Sequence, residues 1–461
     1  MLKRARLVPV LGATLASWSC DAGLSSEAED ATATGTGSEL GTAGEPTTGA
    51  DSSTGGDPAG ADHGDWVFDP TQLRTYSVEI APEDLERINA DPQAEEYVPA
   101  AVEVDGQRLE NVAIRYKGNV GSLANCFEGG MLVCDKLSMK IRFDEYVEDQ
   151  LLDGLKRLNF HSMKADPSKI TERLGYALFR DFGVPASRAV HAQLVINGEL
   201  MGLYALVEQV DGRFTRVNFP EDGEGNLYKE VWPMHFGEGP YLDALKTNRD
   251  ESPDALDMVL FAQELQSSTP EAMDEVIDRW MDRAALARLL AVDRMVENWD
   301  GALGFWCGDW GCGNHNYYWY EETQTQRVWL IPWDLDNSFD DPNPFKEFFD
   351  QPHWSDLSAD CEPRPIGDGA VGRRAATCDP IIEGLVTSMW SDYTAASHDL
   401  LDNLWTLEAI DERIDTIAGQ IEPAIMADPD LGDVTEWRAE VATLRSEVLA
   451  IRAQIVAEIE G

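Results

Sequence analysis

Two carboxylates one residue apart, Asp334 and Asp336, end the apolar run VWLIPW (328–333). In an extended strand, positions i and i+2 point to one side. Like charges held there repel unless a cation or a shared proton lies between them. Asparagines stand close in sequence: Asn314-His315-Asn316 opens NYYWY (316–320), and Asn298-Trp299-Asp300 follows a helical pattern. Carboxylates with amide oxygens form a hard-oxygen set, suited to Mg²⁺, Mn²⁺ or Ca²⁺ rather than zinc. Mg²⁺ in particular binds through one or two carboxylates plus substrate phosphates. Asp300, isolated ahead of the pair, is a candidate base or hydroxyl-orienting group. An EF-hand loop fails on its own spacing. Asp334, Asp336, Ser338 and Asp340 fit, but Phe339 replaces the required Gly and Phe345 the closing Glu.

The positioning elements follow from periodicity. TYSVEI (75–80), YVPAAVEV (97–104), NVAIRYKGN (111–119), KLSMKIRFD (136–144) and RLNFHS (157–162) read as strands, with PEDLERINA a short helix between the first two. Asp105-Gly106 marks a hairpin, and Asn197-Gly198 joins AVHAQLVIN (189–197) to MGLYALVEQV (201–210). Asp166-Pro167 predicts the start of a helix running to Gly183. Its apolar face holds Ile170, Leu174 and Leu178; Glu172 falls on the other side with Tyr176 and Phe179, where a carboxylate needs a cation to pair with. After NLYKEV (226–231) the pattern from Ser252 is helical to the end, broken only by the β-pair NYYWY and RVWLIPW. Trp437, Val441, Leu444, Val448, Ile451 and Ile455 predict one closing helix packed on the domain. The class is α+β in two lobes: a β-rich lobe over about 66–235, a helical lobe over about 250–461, and a cleft between them.

No GxxxxGK[ST], GxSxG, HExxH or helix-opening GxGxxG occurs, and His is scarce, seven in all. The formal charge of -48 repels nucleic-acid phosphates and anionic lipids and suits a cationic partner. Residues 1–20 read as a secretory signal: MLKRAR is basic, LVPVLGATLA is apolar but too short to span a bilayer, and Cys20 follows small residues as in a lipoprotein cleavage site. Ser17 stands where such sites carry an aliphatic residue, so plain secretion is the alternative to lipidation. Residues 21–64, Ser, Thr, Gly, Ala and acids, read as a disordered tether, leaving 65–461 as the folded domain. An exported chain can oxidise its cysteines, and locality pairs Cys126 with Cys134, Cys307 with Cys312 and Cys361 with Cys378. The rival for one pair is zinc on Cys307, Cys312 and His315.

RYKGNVGS, KLSMKIRFD, LNFHSMKADPSKITERLGYALFRDFGVP, LVINGELMGLYALVEQVDGRF, NWDG, NHNYYWY and IPWDLDNSF occur in that order, and together they resemble the CotH (spore-coat-protein-H-like) kinases over roughly residues 75–345. The resemblance implies an atypical protein-kinase-like fold that transfers the γ-phosphoryl group of ATP to Ser or Thr hydroxyls of a protein, with Mg²⁺ or Mn²⁺. It implies that Arg115, Lys117, Gly118 and Asn119 form the turn over the phosphates, that Lys140 (with Lys136 as competitor) pairs with the phosphates, and that Glu172 orients that lysine. Asp300 would be the catalytic acid; Asn316, Asp334 and Asp336 would hold metal; LVEQV (206–210) would edge the adenine. The Cys-bounded stretch 301–315 reads as an insertion beside Asp300. The alternative from another class is a catalytically idle cell-surface binding or structural protein on the same fold.

Overall fold

The computed structural model describes residues 64–118, 136–249, 253–309, 311–339, 361–366, 371–429 and 433–460, together with 123, 126–128, 131–132 and 134. The expected leader, Cys20, nearly all of the tether, Asn119 and the EF-hand positions 340 and 345 lie outside these residues.

Seven strands close into a barrel in the order Arg74–Ile80, Val98–Val104, Gln107–Tyr116, Met139–Arg142, Arg157–His161, Glu199–Val207 and Ala189–Ile196. Every neighbouring pair is antiparallel except the seam, where Ala189–Ile196 runs parallel to Arg74–Ile80. Asn197 and Gly198, both at positive φ, make the tight turn that a right-twisted hairpin prefers. Asn197 also closes the seam: its Oδ1 accepts from Ile80 N at 2.8 Å and its Nδ2 donates to Ile80 O at 2.9 Å.

Side-chain alternation gives the barrel two faces. Tyr76, Val78, Ile114, Ile141, Phe160, Tyr204 and Leu206 fill its interior. On the same strands Leu203, Ala205 and Val207 point outward into a second core that also holds Ile170 and, from the Thr171–Asp181 helix, Leu174 and Leu178. That second core holds the antiparallel sheet Asn226–Lys229, Tyr317–Glu321 and Val328–Pro332, and residues from the helices Leu256–Ser267, Met273–Trp280, Arg283–Val296, Pro380–Ser388, Leu407–Ala427 and Val434–Glu460. The α+β class is as expected. The closing helix buries the expected stripe from Trp437 to Ile455.

Two local readings change, and one choice is settled. The helix begins at Thr171, not at Pro167, because Lys169 takes φ +61° and breaks the helical path. Asp166 still caps it at a distance, its Oδ2 accepting from Thr171 N at 2.9 Å. The region beyond the β-pair is not wholly helical: strands Arg364–Ile366 and Val371–Arg374 join Phe305–Gly308 and Gly311–Gly313 in a four-stranded sheet. All three local disulfides are present, which removes Cys307 and Cys312 as zinc ligands.

Lys136, the competitor to Lys140, is buried in an ion pair. Its ammonium donates to Leu203 O at 2.9 Å and lies 3.4 Å from Asp428, whose carboxylate also accepts from Leu203 N. This ion pair ties the barrel to the end of the Leu407–Ala427 helix. Removing one partner of such a buried pair leaves a charge uncompensated, so Asp428→Ala should destabilise the protein by about 3–5 kcal/mol in guanidinium unfolding. A loss no larger than that of an exposed pair, under about 1 kcal/mol, would contradict this role.

Candidate active site

The strand Val328–Pro332 ends one residue before Trp333, whose N–H donates to Asn316 O at 3.0 Å and extends the sheet by one bond. Asn316 and Asp334 therefore leave the sheet at the same end. Both take positive φ, +60° and +52°, a conformation that Asn and Asp tolerate better than most residues. The two acids thus lie past the strand, and strand alternation is not what brings them together. Asp334 N donates to Tyr176 Oη at 2.9 Å. Leu335, fully buried between them, packs on Gly175, where a Cβ would stand 3.2 Å from its Cδ1. That close approach explains a glycine in mid-helix, and it brings Asp334 against Glu172.

Glu172 is buried and its Oε1 meets His161 Nδ1 at 2.7 Å. His161 Nδ1 is 3.9 Å from Asp334 Oδ1. His161 Nε2 lies 2.7 Å from Lys117 Nζ, and that ammonium sits 5.8 Å from the centre of the Trp333 ring. The other oxygen of Glu172, Oε2, is buried and has no hydrogen-bond partner among the described residues. His161, Glu172 and Asp334 present ligand atoms close enough to share one cation. An orphaned buried carboxylate oxygen beside a second acid fits a divalent ion with oxygen ligands.

Electrostatics points the same way. Burial, then the charge of Asp334, pushes Glu172 well above the usual carboxylate range, with Lys117 opposing. Burial, then Asp334, Glu172 and Asp300, does the same to Asp336. Burial, then Lys117, lowers His161 to about 3, so the ring is neutral. Asp300 is raised to about 6 by burial, with Asp334 and Glu230 adding to the rise and His315 opposing. Asn316 Nδ2 donates to the Asp300 carboxylate at 3.1 Å and to its carbonyl at 3.0 Å, while Asn316 N donates to Glu230 Oε1 at 3.2 Å.

The structure thus groups Asp300 with Asn316, and Glu172, Asp334 and Lys117 around His161. Asp336 belongs to the same electrostatic neighbourhood. Lys140 is buried on the barrel strand opposite Arg115 and Asn159, and its charge also reaches His161. Arg115 and Gly118 are differently engaged. Arg115 pairs with Glu95 at 2.5 Å over the Tyr97 ring, and Gly118 N donates to Glu95 Oε1 at 2.9 Å. Glu208 in the expected adenine edge is held by Arg188 at 2.8 Å and Arg213 at 2.5 Å. Sequence reasoning missed His161, Glu95, Glu230 and Tyr176 as site residues. A signal existed for His161: Asn159 and His161 alternate with the barrel-core residues Leu158 and Phe160, so both polar groups face the helix side.

The "CotH kinase protein" family model matches residues 114–455. The chain belongs to the CotH kinase protein family. The match reaches much further toward the C-terminus than the motif-bearing stretch 75–345, and takes in most of the closing helix. The chain is 22% identical over 380 residues to inner spore coat protein H of Bacillus subtilis (strain 168), covering 78% of this chain and 90% of that protein. A crystal structure of the Helicobacter pylori proinflammatory kinase CtkA aligns with 72% of this chain and 94% of its own at 11% identity, with a TM-score of 0.26. The family implies ATP and a divalent cation.

A carboxyl whose folded pKa is raised contributes stability below its unfolded value and loses that contribution as pH rises through the folded one. Asp300→Asn keeps an acceptor for Asn316 and never ionises. It should raise the thermal midpoint of the metal-free protein at pH 7.5, and the gain should fade as pH falls from about 6 to 4. A gain independent of pH would contradict the assigned shift.

Proposed function

We propose that this chain is an exported, metal-dependent protein kinase that transfers the γ-phosphoryl group of ATP to Ser or Thr hydroxyls of a protein substrate. One observation carries the reading: Asp300, held by Asn316, shares a neighbourhood with Asp334, Asp336, Glu172 and Lys117. Phosphoryl transfer needs positioning and charge neutralisation more than covalent chemistry from the protein, and these residues supply both.

Asp300 accepts the proton of the attacking hydroxyl. With its carboxyl raised to about 6 it is ionised at neutral pH yet basic enough to take a proton. As the substrate oxygen–phosphorus bond forms, the bond from the γ-phosphorus to the bridging oxygen breaks and ADP leaves. Lys117 faces the phosphates with its ammonium. Asp334, Asp336 and the spare oxygen of Glu172 would hold Mg²⁺ or Mn²⁺, which when bound neutralises phosphate charge; Asn316 stands beside them on Asp300. The phosphates must displace Glu95 from Gly118 N–H and compete with it for Arg115. The charge of -48 favours a basic substrate segment. Export and a lipid anchor at Cys20 rest on the N-terminal sequence alone. No helix among the described residues is long and apolar enough to cross a membrane.

Asp334→Asn tolerates the positive φ and removes one charge. Transfer of labelled phosphate from Mg²⁺–ATP or Mn²⁺–ATP to a basic protein should fall to background, with the unfolding midpoint in the absence of nucleotide retained. Undiminished transfer would refute the assignment.

A further inference from the structure

We infer that His161 is a positioning residue of the nucleotide site: it joins Lys117 to Glu172 through its ring and so aims the Lys117 ammonium at the phosphates. The inference rests on the kinase reading above and deepens it. Both ring nitrogens are engaged at 2.7 Å, Nε2 with Lys117 and Nδ1 with Glu172. An ammonium can only donate, so Nε2 must offer its lone pair. A neutral ring then carries its proton on Nδ1 and donates it to Glu172 Oε1. One tautomer satisfies both bonds; imidazolium keeps the bond to Glu172 but sets a second donor against the Lys117 ammonium.

Two consequences follow. The Nε2 contact fixes the direction of the Lys117 ammonium, whose charge reaches Glu172 and Asp336. Glu172, contacted through one oxygen only, keeps Oε2 for the cation. His161 is then a support for the site and not a ligand, although it lies within reach of one. The surroundings hold it there: Lys117 N donates to Ser138 O at 2.9 Å, which fixes the root of the lysine beyond the barrel strand, and the Trp333 ring stands edge-on 6.0 Å from the imidazole.

The test uses the full chain and Mg²⁺–ATP. Calorimetric Kd and steady-state kinetics would be measured for His161→Gln, His161→Ala, Lys117→Met and the Lys117→Met/His161→Ala double variant. Losing a charge-assisted hydrogen bond should weaken nucleotide binding roughly tenfold or more in His161→Ala, with KM for ATP affected more than kcat. His161→Gln, which keeps an acceptor for Lys117, should recover part of it. In the Lys117→Met background the His161 substitution should add nothing to Kd. Effects that multiply, or an unchanged Kd in His161→Ala, would overturn the inference. Nitrogen-15 spectra of the wild-type imidazoles, assigned by difference with His161→Gln, need no destabilising change. A neutral ring protonated at Nδ1 supports the inference, and protonation at Nε2 or at both nitrogens overturns it. Failure of the wild type to bind Mg²⁺–ATP at all would instead sink the kinase reading, and the nucleotide role of His161 with it. Binding that ignores His161 removes His161 alone.

Discussion

Buried carboxylates repel one another, and this protein gathers Glu172, Asp334, Asp336 and Asp300 within one electrostatic neighbourhood. Glu172, Asp336 and Asp300 are each raised by burial and by their neighbours, while the Asp334 side chain stays 34% exposed. A protein selected for stability alone would pair or remove such groups. Here the fold invests in bringing them together. Leu335 drives into the helix at Gly175, Tyr176 holds the backbone of Asp334, and two left-handed residues turn Asn316 and Asp334 out of the same sheet edge. Lys117 acts on Glu172, Asp336 and His161, and Lys140 acts on His161 as well. The remaining negative charge is what a divalent ion and its nucleotide would relieve.

The two cores explain how the site is supported. The barrel interior is apolar and self-contained, so its outward face is free to carry Asn159, His161 and Lys140 toward the Thr171–Asp181 helix. That helix belongs to the second core through Leu174 and Leu178, and presents Glu172 and Tyr176 to the acids. The site is therefore built where the outside of the barrel meets the end of a sheet from the other core. The Asp428–Lys136 pair and the C-terminal helix hold the same two bodies together away from the chemistry.

Much of this was legible because it is local. Asn197-Gly198 announces its turn, the three cysteine pairs are close in sequence, and the spacing from Trp437 to Ile455 declares its helix. The acids Asp334 and Asp336 and the amides around Asp300 were visible by type. What was not legible depends on distant partners. The parallel seam joins Arg74–Ile80 to Ala189–Ile196, Lys136 finds Asp428, and Arg364–Ile366 and Val371–Arg374 complete a sheet begun at Phe305. Glu95 gave no periodic or motif signal, yet it clasps both Arg115 and Gly118. Glu172 was expected to orient Lys140; the contact it makes is to His161, a residue the motifs carry without marking.

The central claim is that these acids form a seat for a divalent cation and ATP. Thermal unfolding of the full chain with Mg²⁺ or Mn²⁺ and ATP, each alone and together, tests it most directly. At about 100 times Kd a ligand stabilises the native state by about 2.7 kcal/mol, so metal and nucleotide together should raise the midpoint in the wild type and not in Asp334→Asn. A midpoint unmoved by any combination, or moved equally in the variant, would contradict the claim.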